Sequence, residues 1–164
     1  MTDSRKTARR GDVSDKVDGG SDEFVTMTIF DQLFGIPVLK VQDVLGPQHI
    51  NKIPLAPPEV AGSLNLRGRI VTAIDIRKRL GLPCREADDE GMNVVVEHGT
   101  ELYSLVIDTV GEVLSLPREN FERNPSNLDD LWREVTAGIY QLDGKLMVVI
   151  DIDRLLSFNA AEAA

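Results

Sequence analysis

The sequence has few of the residues on which metal-bound, disulfide-bonded and membrane-inserted proteins depend. Cys84 is the one cysteine in 164 residues, which excludes an internal disulfide and a metal cage of cysteines alone. His49 and His98 lie far apart, and neither has a second histidine or cysteine at metal-ligand spacing. No stretch approaches the roughly 20 apolar residues of a membrane span, and the N-terminus lacks the apolar run of a signal peptide. We therefore expect a cytoplasmic protein with no cofactor, no metal and no membrane insertion.

The sequence also has few aromatic residues, and its net charge is negative. Phe, Trp and Tyr make up 5% of the chain, and its formal net charge is −9. So few aromatics cannot build the stacking surfaces of single-strand binders, and an acidic protein does not neutralise phosphates. A barrel-type nucleic-acid-binding module is therefore a disfavoured alternative, and an anionic membrane surface is disfavoured for the same reason. Other proteins remain as the predicted partners.

The sequence motifs of the common enzyme classes are missing. It contains no GxSxG, no HExxH and no glycine-rich phosphate loop. Asp75 and Asp151 form a tempting acid–base pair, but each ends an apolar strand and precedes a helical turn, where a helix N-cap accounts for an aspartate directly. We predict that the protein is not an enzyme, and a small enzyme is the third class considered.

The sequence does contain a folded segment, residues 24–158, between two polar ends. Residues 1–23 are polar and carry almost no large apolar side chains, so they are predicted to form a disordered tail. Residues 159–164 are predicted to be a fraying helix or a C-terminal tail. Within the folded segment, apolar residues alternate with polar ones or form short runs, as in β-strands. Predicted strands cover 25–30, 34–38, 70–76, 94–96, 102–107 and 146–152. Predicted helices are short and cover 57–64, 76–80, 125–135 and the turn after Asp151.

The folded segment also repeats itself. Residues 61–80 match residues 137–156 at a constant offset of 76 (137 − 61), and residues 34–45 match 103–114 at an offset of 69 (110 − 41). About five short strands in about 70 residues suit a small closed barrel, which also removes exposed sheet edges. The sequence therefore predicts a mostly β fold of two pseudo-symmetric, five-stranded, SH3-like barrels, roughly 24–82 and 92–158. Short helices and a groove between the barrels complete the prediction.

The two halves differ in charge at one strand end. Arg67 lies between Leu66 and Gly68, and its counterpart in the repeat is Asp143. A reversed charge at equivalent positions indicates that the two halves have different functions there. Asp43 follows the first hairpin, and we predict that it pairs with Arg67. An ordinary exposed arginine is the alternative.

Several of these segments together resemble one known family. They are FGIPVLKVQDV (34–44), GSLNLRGRIV (62–71), DIR (75–77) and IDTVGEVLSL (107–116). In this order they are similar to the CheW-type chemotaxis coupling (adaptor) proteins, over about residues 24–158. The resemblance implies two intertwined five-stranded β-barrels with a hydrophobic groove between them, and no enzymatic activity.

The resemblance also implies partners and binding residues. Members of the family bridge a CheA-type histidine kinase and the cytoplasmic tip of methyl-accepting chemoreceptors, which implies recruitment to membrane-associated receptor arrays. By motif position, Val38 and Val41 would line the receptor groove. Arg67 would be the family's signature arginine and Asp43 its acidic partner, where glutamate is usual. The partner-facing surfaces of the second barrel would include Val94, Val96, Val110 and Val113.

Overall fold

The computed structural model describes residues 20–86, 90–123 and 128–157. The strands in these ranges are β1 (Ser21–Ile29), β2 (Gln32–Pro37), β3 (Val41–Leu45), β4 (Val60–Leu66), β5 (Arg69–Asp75), β6 (Met92–His98), β7 (Glu101–Ile107), β8 (Thr109–Pro117), β9 (Thr136–Leu142) and β10 (Lys145–Ile150). The helices are α1 (Ile76–Arg79), α2 (Asp130–Val135) and α3 (Ile152–Leu155), and 3₁₀ turns cover Val38–Lys40 and Arg118–Asn120.

The strands form two five-stranded sheets, and each sequence half contributes to both. The first sheet has the order β8-β1-β2-β10-β9, and the second has the order β3-β6-β7-β5-β4. The hairpin β1–β2 therefore pairs with strands of the second half, and the hairpin β6–β7 pairs with strands of the first. The two halves exchange their first hairpins. Two five-stranded sheets in a mostly β chain confirm the predicted fold class.

The pairing registers repeat with the same two offsets as the sequence. Val148 lies opposite Phe34 across the parallel pair β10–β2, and Thr72 lies opposite Tyr103 across the parallel pair β5–β7. The differences are 148 − 72 = 76 and 103 − 34 = 69. A slip of one residue would turn each buried side chain outward. The strand pairing is therefore the same in the two sheets, residue by residue.

Three clusters of buried apolar residues hold the sheets. The largest lies between the sheets and receives side chains from both, including Met27, Phe34 and Leu105. Each sheet also has a smaller cluster of its own, and three members of each are equivalent in the repeat, since 140 − 64, 147 − 71 and 149 − 73 are all 76. The smaller clusters consist of Phe24, Tyr140, Met147 and Val149 in the first sheet, and of Leu64, Val71, Ala73 and Val106 in the second. Since apolar burial is the main stabilising contribution, the sheets cannot separate without exposing the shared cluster.

Two equivalent glycines allow a preceding segment to cross close over a strand. Asn51 forms two backbone hydrogen bonds with Ser63 beside Gly62, and Glu122 forms two with Ile139 beside Gly138. A Cβ atom on Gly62 would lie 2.8 Å from the carbonyl carbon of Asn51, and one on Gly138 would lie 2.5 Å from the carbonyl oxygen of Glu122. Gly62 also has φ +147°, which side chains rarely adopt.

The predicted caps are confirmed. The backbone N–H of Lys78 donates to Asp75 (3.3 Å), and that of Arg154 donates to Asp151 (3.2 Å). Each carboxylate satisfies an N–H group at the start of a short helix. The two aspartates therefore act as equivalent caps of α1 and α3.

Other sequence predictions need correction. The helix predicted over 57–64 is wrong, because the Pro57–Pro58 segment forms a turn, with Val60 N–H donating to the Pro57 carbonyl (3.0 Å), and β4 begins at Val60. The strand β1 begins at Ser21 rather than after residue 23, because Ser21 already pairs with Pro117 of β8. The helix predicted over 125–135 begins at Asp130, capped by Asp129. Residues 1–19, 124–127 and 159–164 lie outside the described residues.

The close crossings predict that alanine at either glycine destabilises the fold. We expect Gly62→Ala and Gly138→Ala each to lower the free energy of unfolding by about 1–3 kcal/mol, since the added methyl group overlaps a backbone. Urea denaturation followed by circular dichroism measures this. Gly46→Ala is the matched control, because nothing lies within 4 Å of its Cβ position. Equal midpoints for all three variants would contradict the close-crossing account.

Candidate protein-binding surface

In the strand order, the chain crosses between the two sheets twice. The first crossover is the 3₁₀ turn Val38–Lys40 between β2 and β3, and the second is Asp108 between β7 and β8. The crossovers occupy equivalent positions in the repeat, since 108 − 39 = 69. Val38 and Val41, predicted for the receptor groove, both lie at the first crossover. Each is half-buried, and Val41 packs against the shared cluster.

The predicted pair of Asp43 and Arg67 is present. A guanidinium N–H of Arg67 donates to Asp43 at 2.9 Å, joining the β4–β5 turn to β3. The Arg67 side chain is 75% exposed and that of Asp43 is 26% exposed. Such an exposed ion pair contributes at most about 1 kcal/mol to stability. The pair therefore leaves the guanidinium accessible from solvent.

The turn that carries Arg67 has an unusual backbone. Arg67 has φ +50° and Gly68 has φ +84°, and the N–H of Gly68 donates to the Asn65 side chain (3.0 Å). Left-handed backbone in a non-glycine residue costs free energy. Gly68 and the Asn65 bond hold the turn in this conformation, and the turn directs Arg67 toward β3.

Val94 and Val96 do not lie at the surface, and their predicted partner-facing role is wrong. Both are 0% exposed in the shared cluster. They lie on β6, which is flanked by β3 and β7 and covered by the other sheet. A fully buried side chain offers no atoms to a partner, so these two valines belong to the core.

The other two valines of that prediction lie on β8, at the edge of the first sheet. Val110 is half-buried against the shared cluster, and Val113 is 54% exposed. The repeat equivalent of Val113 is Val44 on the edge strand β3, since 113 − 44 = 69, and it too is exposed. Applying the offset of 69 to Val113 would have added Val44 to the predicted surface residues.

Two adjoining hollows open at the end of the first sheet, of about 640 and 390 Å³. The larger reaches the first crossover, where Val38 and the exposed Leu39 line it. The smaller contains Tyr140, whose hydroxyl is buried without a hydrogen-bond partner among the described residues. Burial raises the pKa of Tyr140; Asp22 raises it further and Arg118 opposes the change. The phenol therefore stays neutral at ordinary pH.

Asp108 is the most connected carboxylate of the described chain. It accepts from the Phe30 backbone N–H (2.9 Å), from Arg77 Nε (3.0 Å) and from Arg85 (3.4 Å). Burial alone would raise the pKa of Asp108, but the Arg77 and Phe30 hydrogen bonds and the two guanidinium charges outweigh it and lower that pKa. Phe30 belongs to the β1–β2 turn of the first sheet, whereas Arg77 belongs to α1, which contacts β5 and β7 of the second sheet. Asp108 therefore ties the two sheets together.

Residues 20–86, 90–123 and 128–157 contain neither a metal-binding cluster nor a membrane-spanning helix. No group of three or more His, Cys, Asp and Glu side chains there is placed to hold a metal ion. No helix in the same ranges is long and apolar enough to cross a membrane.

Comparisons with known proteins agree on one family. The family model described as CheW-like domain matches residues 23–159. The chemotaxis protein CheW of Klebsiella aerogenes is 32% identical over 135 residues, covering 82% of this chain and 81% of that protein. The chemotaxis protein CheW of Treponema pallidum is 27% identical over 139 residues, covering 82% of each chain.

A solved structure shares the architecture. The crystal structure of the scaffolding protein TtCheW from Thermoanaerobacter tengcongensis superposes with a TM-score of 0.73 at 28% sequence identity. The match covers 79% of this chain and 88% of that one.

The contacts of Asp108 predict a pH-dependent contribution to stability. At neutral pH we expect Asp108→Asn to lower the free energy of unfolding by about 1.5–3 kcal/mol, because it removes the carboxylate that Arg77 and Arg85 share, while Arg85 keeps its contact with Asp75 at 3.6 Å. The folded pKa lies below the unfolded value of about 3.9, so the contribution is present above that value. It is lost as the pH falls through the folded pKa. Chemical denaturation from pH 7 to pH 3 measures the narrowing difference from wild type.

Asp22→Asn is the control for this experiment. Asp22 pairs with Arg118 at 2.9 Å, but both side chains are about half exposed, so its loss costs less than about 1 kcal/mol. Equal effects of the two substitutions on the free energy of unfolding would refute the stabilising role of Asp108. So would an effect of Asp108→Asn that does not change with pH.

Proposed function

Because this chain belongs to the CheW-like domain family, we propose that it is a non-catalytic scaffold that couples chemoreceptors to a CheA-type histidine kinase. The observation that carries the proposal is the family match over residues 23–159, which includes both exchanged hairpins and both sheets. The complex would be a chemotaxis or chemosensory array, to which the protein is recruited from the cytoplasm.

The receptor surface in this proposal is the first crossover. Val38 and Val41 are half-buried there, and Leu39 beside them is 92% exposed. Exposed apolar side chains on a rigid framework are what an amphipathic helix needs for groove recognition. The tip of a chemoreceptor is a helical hairpin in this proposal, and its apolar face would cover these residues.

The kinase surface in this proposal includes Arg67. Its guanidinium is exposed and is held by a left-handed turn and by Asp43. Arginine is enriched among the residues that dominate binding energy at interfaces. Pre-positioning also reduces the entropy lost when the side chain is immobilised. Val113 and Val110 on β8 would contribute to the remaining partner-facing surface.

Signal transfer follows from differential affinity. A scaffold that binds one receptor state more tightly than another shifts the population of that state, and linkage makes the effect reciprocal. Binding both partners at once also raises the effective concentration of kinase at the receptor. Neither step needs a catalytic residue in the scaffold.

The first test is binding to the regulatory region of a CheA-type kinase from the same genome. We expect saturable binding by wild type and at least about tenfold weaker binding by Arg67→Ala, since loss of an interface arginine costs more than about 1.4 kcal/mol. Arg133→Ala is the matched control, because Arg133 is also exposed and also paired with an aspartate, Asp130. Titration calorimetry gives the affinities, and circular dichroism verifies that every variant is folded.

Two outcomes would change this proposal. Wild type that binds no such kinase region would remove the coupling function. Equal binding by Arg67→Ala and Arg133→Ala would leave the function in place and move Arg67 out of the kinase surface.

The receptor surface has a separate prediction. Val38→Asp places a charge in the proposed apolar contact, so we expect at least about tenfold weaker binding to a chemoreceptor tip fragment, with kinase binding unchanged. Val113→Asp, at an exposed valine on the edge strand β8, is the matched control and should leave receptor binding intact. Pull-down and fluorescence anisotropy with the fragment measure the two affinities. If both variants bind the fragment like wild type, the first crossover is not the receptor site.

A further inference from the structure

The two crossovers between the sheets are equivalent in the repeat but are held differently. At the second crossover, Asp108 joins the Phe30 backbone N–H to Arg77 and Arg85. The same position in the first crossover is Leu39, since 108 − 39 = 69. Leu39 is 92% exposed, and the 3₁₀ turn that contains it has no buried residue.

The partners of Asp108 are also replaced at their equivalent positions. Arg77 corresponds to Asp153 (153 − 77 = 76), and Phe30 corresponds to Gly99 (99 − 30 = 69). Asp153 contacts His98 of β6 at 3.0 Å. The first crossover therefore has the more exposed contact of His98 with Asp153 in place of the largely buried cluster of Asp108, Arg77 and Arg85.

We propose that Asp108 is a positioning residue that fixes the two sheets at the second crossover, so that relative movement of the sheets occurs at the first crossover, Val38–Lys40. The shared apolar cluster limits this movement to a small sliding of packed elements. The second crossover, held by Asp108, is the fixed point about which the sheets move. Residues that absorb such movements are a few positions at element ends, as the turn Val38–Lys40 is.

This inference rests on the proposed function for its biological meaning. Val38 and Val41 would contact the receptor and lie at the moving crossover, whereas the fixed point lies at the other. Receptor state would then be converted into a change in the relative placement of the sheets. The kinase would sense that placement, because Arg67 is on the second sheet and Val113 is on the first.

The repeat provides a direct test, since the interactions of Asp108 with Arg77 and the Phe30 N–H, here called the clamp, can be transplanted to the first crossover. The double variant Leu39→Asp with Asp153→Arg places a carboxylate and a guanidinium at the first crossover, with the N–H of Gly99 in the position of Phe30 N–H. Spin labels on Arg69→Cys and Lys145→Cys, in a Cys84→Ser background, report the distance between the sheets. These two exposed sites are themselves equivalent, since 145 − 69 = 76.

Pulsed electron spin resonance on the full chain gives the width of the distance distribution. We expect the transplant to narrow the distribution and Asp108→Asn to broaden it. Leu39→Asp and Asp153→Arg alone are the controls: each supplies half of the clamp, and the second also removes the partner of His98. A transplant no narrower than its single controls would overturn the inference.

Amide hydrogen exchange locates the movement and does not depend on a destabilised variant. In wild type we expect the amide of Ile36, in β2 before the first crossover, to exchange at least about tenfold faster than that of Leu105, its equivalent in β7 before the second (105 − 36 = 69), because local opening needs less free energy at the first crossover. Both residues are fully buried and paired, so a difference in local exposure does not explain the result. The transplant should remove this difference. Equal exchange of the two amides in wild type would also overturn the inference. Both experiments use the protein without a partner. A failure to bind the kinase and a failure of the predicted difference between the two crossovers can therefore be told apart.

Discussion

The exchange of hairpins across a shared apolar cluster is the constraint on which the rest of the structure depends. The hairpin β1–β2 completes a sheet with β8, β9 and β10, and the hairpin β6–β7 completes the other with β3, β4 and β5. Each half of the sequence therefore lacks a complete sheet by itself. The apolar faces of both sheets then meet in one cluster, so we expect the two sheets to unfold as one cooperative unit rather than as two modules joined by a linker.

Within that constraint, the two halves keep the features that set the backbone and vary the features that meet other molecules. The capping aspartates, the crossed glycines and the strand registers recur at fixed offsets, because each satisfies a geometric requirement of the same plan. Some charges do not recur in this way. Arg67 is matched by Asp143 and Asp108 by Leu39, so one backbone plan presents two different surfaces. A scaffold with two partners needs this combination of common framework and unequal faces.

Composition, periodicity and the repeat predicted the local features well, whereas only the family resemblance implied that the two halves are intertwined. Alternation and the repeat identified most strands, and the reversed charge at Arg67 led to its pair with Asp43. The prolines before β4 suggested a helix start but form a turn, since proline suits both positions. The run Val94–Val96 is buried throughout, so motif position alone could not tell inward from outward. Which hairpin joins which sheet depends on distant pairing, which local patterns do not encode.

The parallel pairing of β2 with β10 has a consequence for synthesis of the chain. Gly35 pairs with Val149, which is 149 − 35 = 114 residues later. The first hairpin therefore leaves the ribosome long before one of its neighbouring strands exists. Until then its edges are unpaired, a situation that favours slow folding and association with other exposed strands. The hairpin exchange that joins the two sheets into a single body thus makes the first hairpin dependent on β10, a strand translated more than a hundred residues later.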